Sequence, residues 1–336
     1  MTLLEEQSSG GEGGSGVELS VVVPICNEEA VIREFHRRTT CVLQELSLSF
    51  EIIYVNDGST DRSLSILQEL RAANTGIAIL DLSRNFGKEI ALTAGLDHAR
   101  GDAVVLIDAD LQHPPEVIPK FLKHWREGYD VVYGTRADRD RETRLKKFST
   151  HAFYLIMEKV ASVRIPRDVG DFLLLSRRAV ESLKLFREQH RFMKGLFTWI
   201  GYSQKGVPYH CDSRYDGKTK WNYWKLWNFA LEGVTSFTIL PLKVASYLGL
   251  ITAFGAFCYA IYIVYHTILY SDPVAGYPTL IVVMLFLGGV QLMTLGITGE
   301  YIGRIFNETK QRPLYFVNRY CEPRTDETPG SDPDME

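Results

Sequence analysis

A chain of 336 residues, 46% hydrophobic and 23% charged, has too much apolar material for disorder and enough length for one or two packed domains. A formal charge of −4 excludes a globally basic nucleic-acid binder, so an anionic ligand has to meet local cations. The five cysteines are odd in number and widely spaced, without a C-x-x-C pair, which argues against a disulfide framework or zinc knuckle and suits a reducing cytoplasm.

The first residues, 1–17, form a Gly/Ser/Glu-rich tail with no apolar core, expected to be disordered and not a signal peptide. From Leu19 the chain alternates strand-like and helix-like patterns. Leu19–Pro24, Phe50–Val55, Ile77–Leu82, Ala103–Ile107 and Asp130–Tyr133 are short β-branched or apolar runs, and the first four are followed by helical spacing over Glu28–Leu46, Ser63–Ala72, Ile90–Ala99 and Pro115–Trp125. Apolar runs alternating with helices predict an α/β fold with a mostly parallel sheet covered on both faces, a Rossmann-like architecture. Ligands of such sheets bind beyond the carboxyl ends of the strands. Polar clusters stand at those ends: Cys26-Asn27-Glu28, Asn56-Asp57-Gly58-Ser59, Ser83–Lys88 and Asp108-Ala109-Asp110.

No G-x-G-x-x-G follows any of these strands, which removes a dinucleotide oxidoreductase. Gly217-Lys218-Thr219 imitates the end of a P-loop, but Asp212 occupies the place of its first glycine. Asp108 and Asp110 are the stronger signal. Two apart at a strand end, they are expected to project to one side and share a hard cation, Mg²⁺ or Mn²⁺, bridging to a diphosphate. Asp57, on a glycine turn, is placed to accept hydrogen bonds from a base or ribose.

Near the C-terminus, Leu242–Tyr270 carries only Lys243 as a formal charge and Pro278–Thr298 carries none. Each is long enough for the roughly 20 residues that cross a bilayer, so two transmembrane helices within 242–303, joined by a loop over 271–278, are expected. Lysines and arginines flank both spans while the loop has none, which places the catalytic part and both termini in the cytoplasm. The segment 218–241 mixes Trp221, Tyr223, Trp224 and Trp227 with lysines, as an interfacial helix would. Residues 304–336 read as a cytoplasmic tail. Gly288-Gly289 and Gly296 permit close helix contact and so self-association into a homo-oligomer.

Val22-Val23-Pro24 to Asn27-Glu28-Glu29, Val55–Asp61, Asn85-Phe86-Gly87-Lys88 and the long run Asp108–Pro115 together resemble the polyprenyl-phosphate branch of family 2 glycosyltransferases, over about Leu19–Arg319. The resemblance implies a GT-A nucleotide-sugar domain, expected over 18–217, acting on a nucleotide sugar and a polyprenyl phosphate at a membrane. It places Pro24, Asn27, Glu28, Asp57 and Lys88 around the nucleoside, and Asp108 and Asp110 on metal and diphosphate. It puts Gln112 and Asp171 near the sugar, and Arg214 and Lys220 in a basic loop over the phosphates. Arg136 is a further candidate cation. A phosphate acceptor is already anionic near neutral pH, so no strong general base is needed and Asp171 is expected to orient it. A single displacement with inversion is expected, with UDP-glucose as donor; GDP-mannose, an amino-arabinose donor, a processive polysaccharide synthase and a non-catalytic nucleotide-binding scaffold are the rivals. Gln189-His190-Arg191-Phe192 departs from the Q-x-x-R-W pattern of the processive enzymes.

Overall fold

A computed structural model describes residues 16–136, 169–189, 191, 193–210, 240–270 and 276–324. The first half follows the expected alternation: β1 (Leu19–Ile25), α1 (Ile32–Glu45), β2 (Phe50–Asn56), α2 (Ser63–Ala73), β3 (Ile77–Leu82), α3 (Lys88–His98), β4 (Ala103–Leu106), a 3₁₀ turn at Pro115–Val117, α4 (Ile118–Arg126) and β5 (Val131–Arg136). Then come β6 (Val169–Ser176), α5 (Arg177–Lys184), α6 (Met193–Trp199), β7 (Gln204–Tyr209), α7 (Leu240–Tyr270), α8 (Tyr277–Thr309) and β8 (Val317–Cys321).

Among the described residues the strands form one eight-stranded sheet in the order β7-β5-β6-β4-β1-β2-β3-β8. The central strands β4, β1, β2 and β3 are parallel, as their continuous apolar runs predict. The sheet is more mixed than expected, because β6 lies antiparallel between β4 and β5 and β8 closes the far edge antiparallel to β3. The pleat sends alternate residues of β1 to opposite faces. Val21, Val23 and Ile25 join one core with Phe35 of α1, Leu67 of α2 and Phe121 of α4. Val22 joins the other with Ala91 of α3, Val180 of α5 and Leu196 of α6. Gly95 of α3 allows that second layer to close, since a Cβ there would stand 2.2 Å from Val22 Cγ1.

The edge of the sheet away from the strand carboxyl ends is held by a buried carboxylate. Glu51, 1% exposed, accepts hydrogen bonds from Ser20 Oγ at 2.6 Å and Arg100 N at 2.8 Å, and its second oxygen accepts from Arg100 Nε and Nη2 at 3.1 and 3.0 Å. Removing the acceptor takes the partner from the buried Ser20 hydroxyl and the ion-pair partner Glu51 from Arg100. Glu51→Ala is therefore expected to cost about 3 kcal/mol of folding stability; a loss under about 1 kcal/mol in a denaturant titration would mean that water replaces the carboxylate.

The two C-terminal helices stand where the apolar runs put them, and they pack against each other as a hairpin. The expectation that they are transmembrane is overturned: among the described residues no helix is long and apolar enough to cross a membrane. Polar groups break the apolar surface, with Tyr247, Thr252, Tyr259, Tyr262 and Tyr265 on α7 and Gln291, Thr294 and Thr298 on α8. Nor does α8 stop at the end of the apolar run: it continues through an exposed Glu300–Arg304 ion pair to Thr309. The expected interfacial segment, up to residue 239, lies outside the described residues, as do residues 1–15 and 325–336 of the two expected tails. The reading of 304–336 as a tail is corrected where it is described: α8 runs on to Thr309 and Val317–Cys321 joins the sheet beside β3, because that strand leaves a free edge to pair with.

Candidate active site

Because β1 to β4 run parallel, their following loops meet at one edge. The first loop turns sharply at Asn27, whose φ of 55° is left-handed, a conformation that Asn tolerates better than most residues. Its side-chain oxygen accepts from Thr60 N at 2.8 Å while its own N–H donates to Ser59 Oγ at 3.1 Å. Glu28 N donates to Ser63 Oγ at 3.0 Å. The loop after β1 is thus tied to the loop after β2.

The loop after β2 is tied in turn to the one after β3. Asp57 accepts from Phe86 N at 2.7 Å and Gly87 N at 3.0 Å, one backbone donor on each oxygen. Burial pushes its carboxyl above the ordinary carboxylate value, and the two backbone donors and the Arg84 charge oppose that. Protonation of Asp57 would replace an acceptor by a donor and loosen Phe86-Gly87. Lowering the pH is thus expected to raise the KM for the donor while free carboxylates, with pKa about 4, are still ionised. A donor KM that stays flat until those ordinary carboxylates titrate would overturn this.

Lys88 opens α3 immediately after this anchor, and its Nζ lies 2.7 Å from Asp108 Oδ2. His113 Nε2 is 3.9 Å from the same oxygen, and its Nδ1 shares a 2.7 Å hydrogen bond with the Tyr209 hydroxyl. β4 ends at Leu106, so Asp108 and Asp110 stand in the turn beyond the strand. The extended geometry expected to align them is therefore absent. They share a site because the turn folds back: Ala109 is buried, Leu111 has φ 60°, and Asp110 Oδ1 accepts from Gln112 N at 3.1 Å. Pro24, Cys26, Glu28, Asp57, Asn85, Lys88, Asp108 and Asp110 all line one cleft of about 370 Å³.

The expected residues divide as follows. Pro24, Glu28, Asp57, Lys88, Asp108 and Asp110 face the cleft, Asn27 fixes its rim, and Gln112 follows Asp110 in the turn. Arg136 ends β5 and Asp171 lies in β6; both are placed as backbone positions. The antiparallel register pairs Leu106, the last residue of β4, with Leu173, two residues after Asp171. Arg214 and Lys220 lie outside the described residues. Tyr209 escaped the sequence reading, because nothing in Gln204–Tyr209 marks a tyrosine that reaches back to a histidine 96 positions earlier. Gly134 makes room for it, since a Cβ there would lie 2.6 Å from the Tyr209 ring.

Among the described residues no cluster of three or more His, Cys, Asp or Glu could by itself hold a metal ion. Two carboxylates on one cleft, one of them already countered by a lysine, fit instead a cation whose remaining ligands are phosphate oxygens and water, as Mg²⁺ prefers.

Residues 20–184 match the profile of glycosyl transferase family 2, and residues 240–305 match the GtrB C-terminal hairpin. The chain is 50% identical over 302 residues to an uncharacterized glycosyltransferase of Synechocystis sp., covering 90% of this chain and 95% of that one. The chain belongs to glycosyl transferase family 2. It is also 46% identical to the prophage bactoprenol glucosyl transferase homolog of Escherichia coli, over 90% of this chain and 99% of that one. The bactoprenol glucosyl transferase of Shigella phage SfII shows the same identity, over 90% and 98%. The protein is therefore a glycosyltransferase, and the cleft at the carboxyl edge of the sheet is where that chemistry has its candidate residues.

Proposed function

We propose that the protein transfers one glucosyl residue from UDP-glucose to a polyprenyl phosphate at the cytoplasmic face of a membrane. The observation that carries this reading is the meeting of Asp57, Lys88, Asp108 and Asp110 in one cleft, in a chain whose relatives include bactoprenol glucosyl transferases.

The chemistry needs two anions held in line. Asp57 and the rims it ties together would seat the nucleoside. Mg²⁺ or Mn²⁺ held by Asp108 and Asp110 would supply charge neutralisation for the departing nucleoside diphosphate. Lys88 lies 2.7 Å from Asp108 Oδ2 and would balance its charge at the cleft. The acceptor phosphate is its own nucleophile, so the protein has to orient it and not deprotonate it. Asp171, in the strand β6 that pairs with β4, would take that task, and Arg136, Arg214 and Lys220 would meet the phosphates. No covalent intermediate is invoked, so the anomeric centre inverts.

The test is incubation of the purified protein with a polyprenyl phosphate and labelled UDP-glucose, GDP-mannose and a 4-amino-arabinose donor in parallel. A single β-linked glucosyl lipid phosphate from UDP-glucose is expected. Product from another donor alone would overturn the sugar, a ladder of longer products would overturn single transfer, and no product with any donor would overturn the reading.

A further inference from the structure

β8 lies beyond both segments that match family profiles, since they end at residues 184 and 305. It follows the helical hairpin and returns to pair with β3, Leu80 opposite Tyr320 and Asp81 opposite Arg319. That return brings a side chain toward the donor cleft from the far edge of the sheet.

Asp81, on β3 and only 8% exposed, accepts two amide hydrogen bonds, from Asn318 Nδ2 at 2.8 Å on one oxygen and from Asn56 Nδ2 at 2.7 Å on the other. An ionised carboxylate has acceptors only, so it dictates which way Asn56 faces. With Nδ2 committed to Asp81, the Oδ1 of Asn56 is left to receive Ser59 N, at 3.3 Å. Ser59 Oγ in turn receives the N–H of Asn27. The turn so fixed carries Asp57. A second clamp runs alongside: Ser83 N donates to Phe316 O at 2.9 Å, holding the start of the segment whose Phe86 and Gly87 N–H groups bind Asp57.

We infer that Asn318 is a positioning residue for the donor site, acting through Asp81 and Asn56 so that the nucleoside-binding turn takes its working shape only when β8 is docked on β3. The inference rests on the reading of this cleft as the donor site. Its physical core is polarity: Asn56 and Asn318 both donate to one carboxylate, a stronger arrangement than neutral pairs would give. Asn318→Asp would set a second carboxylate against the first and turn the relay into a repulsion. Adding Asp81→Asn restores it, because the new amide at position 81 can accept from Asn56 with its oxygen and donate to the carboxylate at position 318 with its nitrogen.

The test compares wild type, N318D and the swap D81N/N318D in two measurements. In backbone hydrogen exchange, which needs no ligand, N318D is expected to lose protection over residues 56–60 by about tenfold, and the swap to regain it. In donor kinetics with UDP-glucose and Mg²⁺, N318D is expected to raise KM about tenfold with kcat within about twofold, and the swap to return KM to near wild type. If N318D does not fold, N318A takes its place against the swap, with a smaller loss in the same direction. Unchanged exchange over 56–60, or a folded swap that stays as exchange-prone as N318D, would overturn the inference. Wild type inactive with every donor while the exchange pattern holds would overturn the reading of the cleft and leave the relay standing.

Discussion

Replacing Asp108 or Asp110 by asparagine is expected to lower glycosyl transfer by about a thousandfold while leaving the fold intact, the size of effect seen when a group that stabilises developing charge is removed. The leaving group is a nucleoside diphosphate, and its departure puts negative charge into a cleft that already holds the two carboxylates, Asp57 and Glu28. That charge has to be met by a cation. Lys88 is committed to Asp108 at 2.7 Å, so it balances the protein's own carboxylate before it balances the substrate's. Asparagine keeps the shape of either side chain and removes the charge that would hold Mg²⁺ or Mn²⁺. The two positions differ in one respect. Asp108→Asn also removes the negative charge that Lys88 faces at 2.7 Å, which leaves the cleft more positive beside the diphosphate, and should leave slightly more residual activity than Asp110→Asn. Both variants and a chelator-treated wild type are to be measured for transfer and for thermal midpoint. Full turnover in excess chelator, or wild-type rates in both variants, would sink the assignment.

The fold was legible where burial on both faces wrote itself as uninterrupted apolar runs. Leu19–Pro24 and Ile77–Leu82 could hardly be anything but central parallel strands, and the structure bounds them within a residue. β7 and β8 carried no such signature. Gln204–Tyr209 has a proline and exposed polar residues, and Val317–Cys321 is mostly exposed; each is a strand because a neighbour offers its free edge, which is tertiary information. β6 shows the same limit differently: its apolar Phe172–Leu175 was overshadowed by the acidic residues before it. The hairpin marks the limit of counting letters, since composition reports charge along a stretch and says less about hydroxyls and rings distributed around a helix.

The candidate site divides along the same line. Asp57, Asp108 and Asp110 were visible because strand ends with carboxylates have few other purposes. The distance between Asp108 and Lys88 was not, since 20 residues and a whole helix separate them. The aspartate pair also corrects the geometry assumed for it: a turn with left-handed Leu111, not an extended strand, keeps both residues on the cleft. Relays such as Asn318 to Asp81 to Asn56 span 237 and 25 positions and leave no local pattern to read.

Gly58→Ala is the second substitution expected to be severe, and a companion separates its two causes. Gly58 has φ 60°, and a Cβ there would fall 2.4 Å from Asn85 N and 2.5 Å from Arg84 C. Both are backbone atoms of the segment that Asp57 holds, so relief requires moving one rim of the cleft away from the other. Gly128 has φ 97° with nothing within 4 Å of its would-be Cβ. Gly128→Ala therefore bears the left-handed conformation alone, about 1 kcal/mol, with activity retained. At Gly58 the collision adds to the same strain, and a total above about 3 kcal/mol is expected. The functional loss follows from displacement: shifting the Asn85 side of the cleft by about an ångström should cost about a hundredfold in kcat/KM for the nucleotide sugar. Denaturant midpoints for the two alanine variants and donor kinetics for both check this together. Equal stability losses at positions 58 and 128, with donor kinetics unchanged in both, would show that the two rims are not in contact during catalysis and that the cleft is more open at work than at rest.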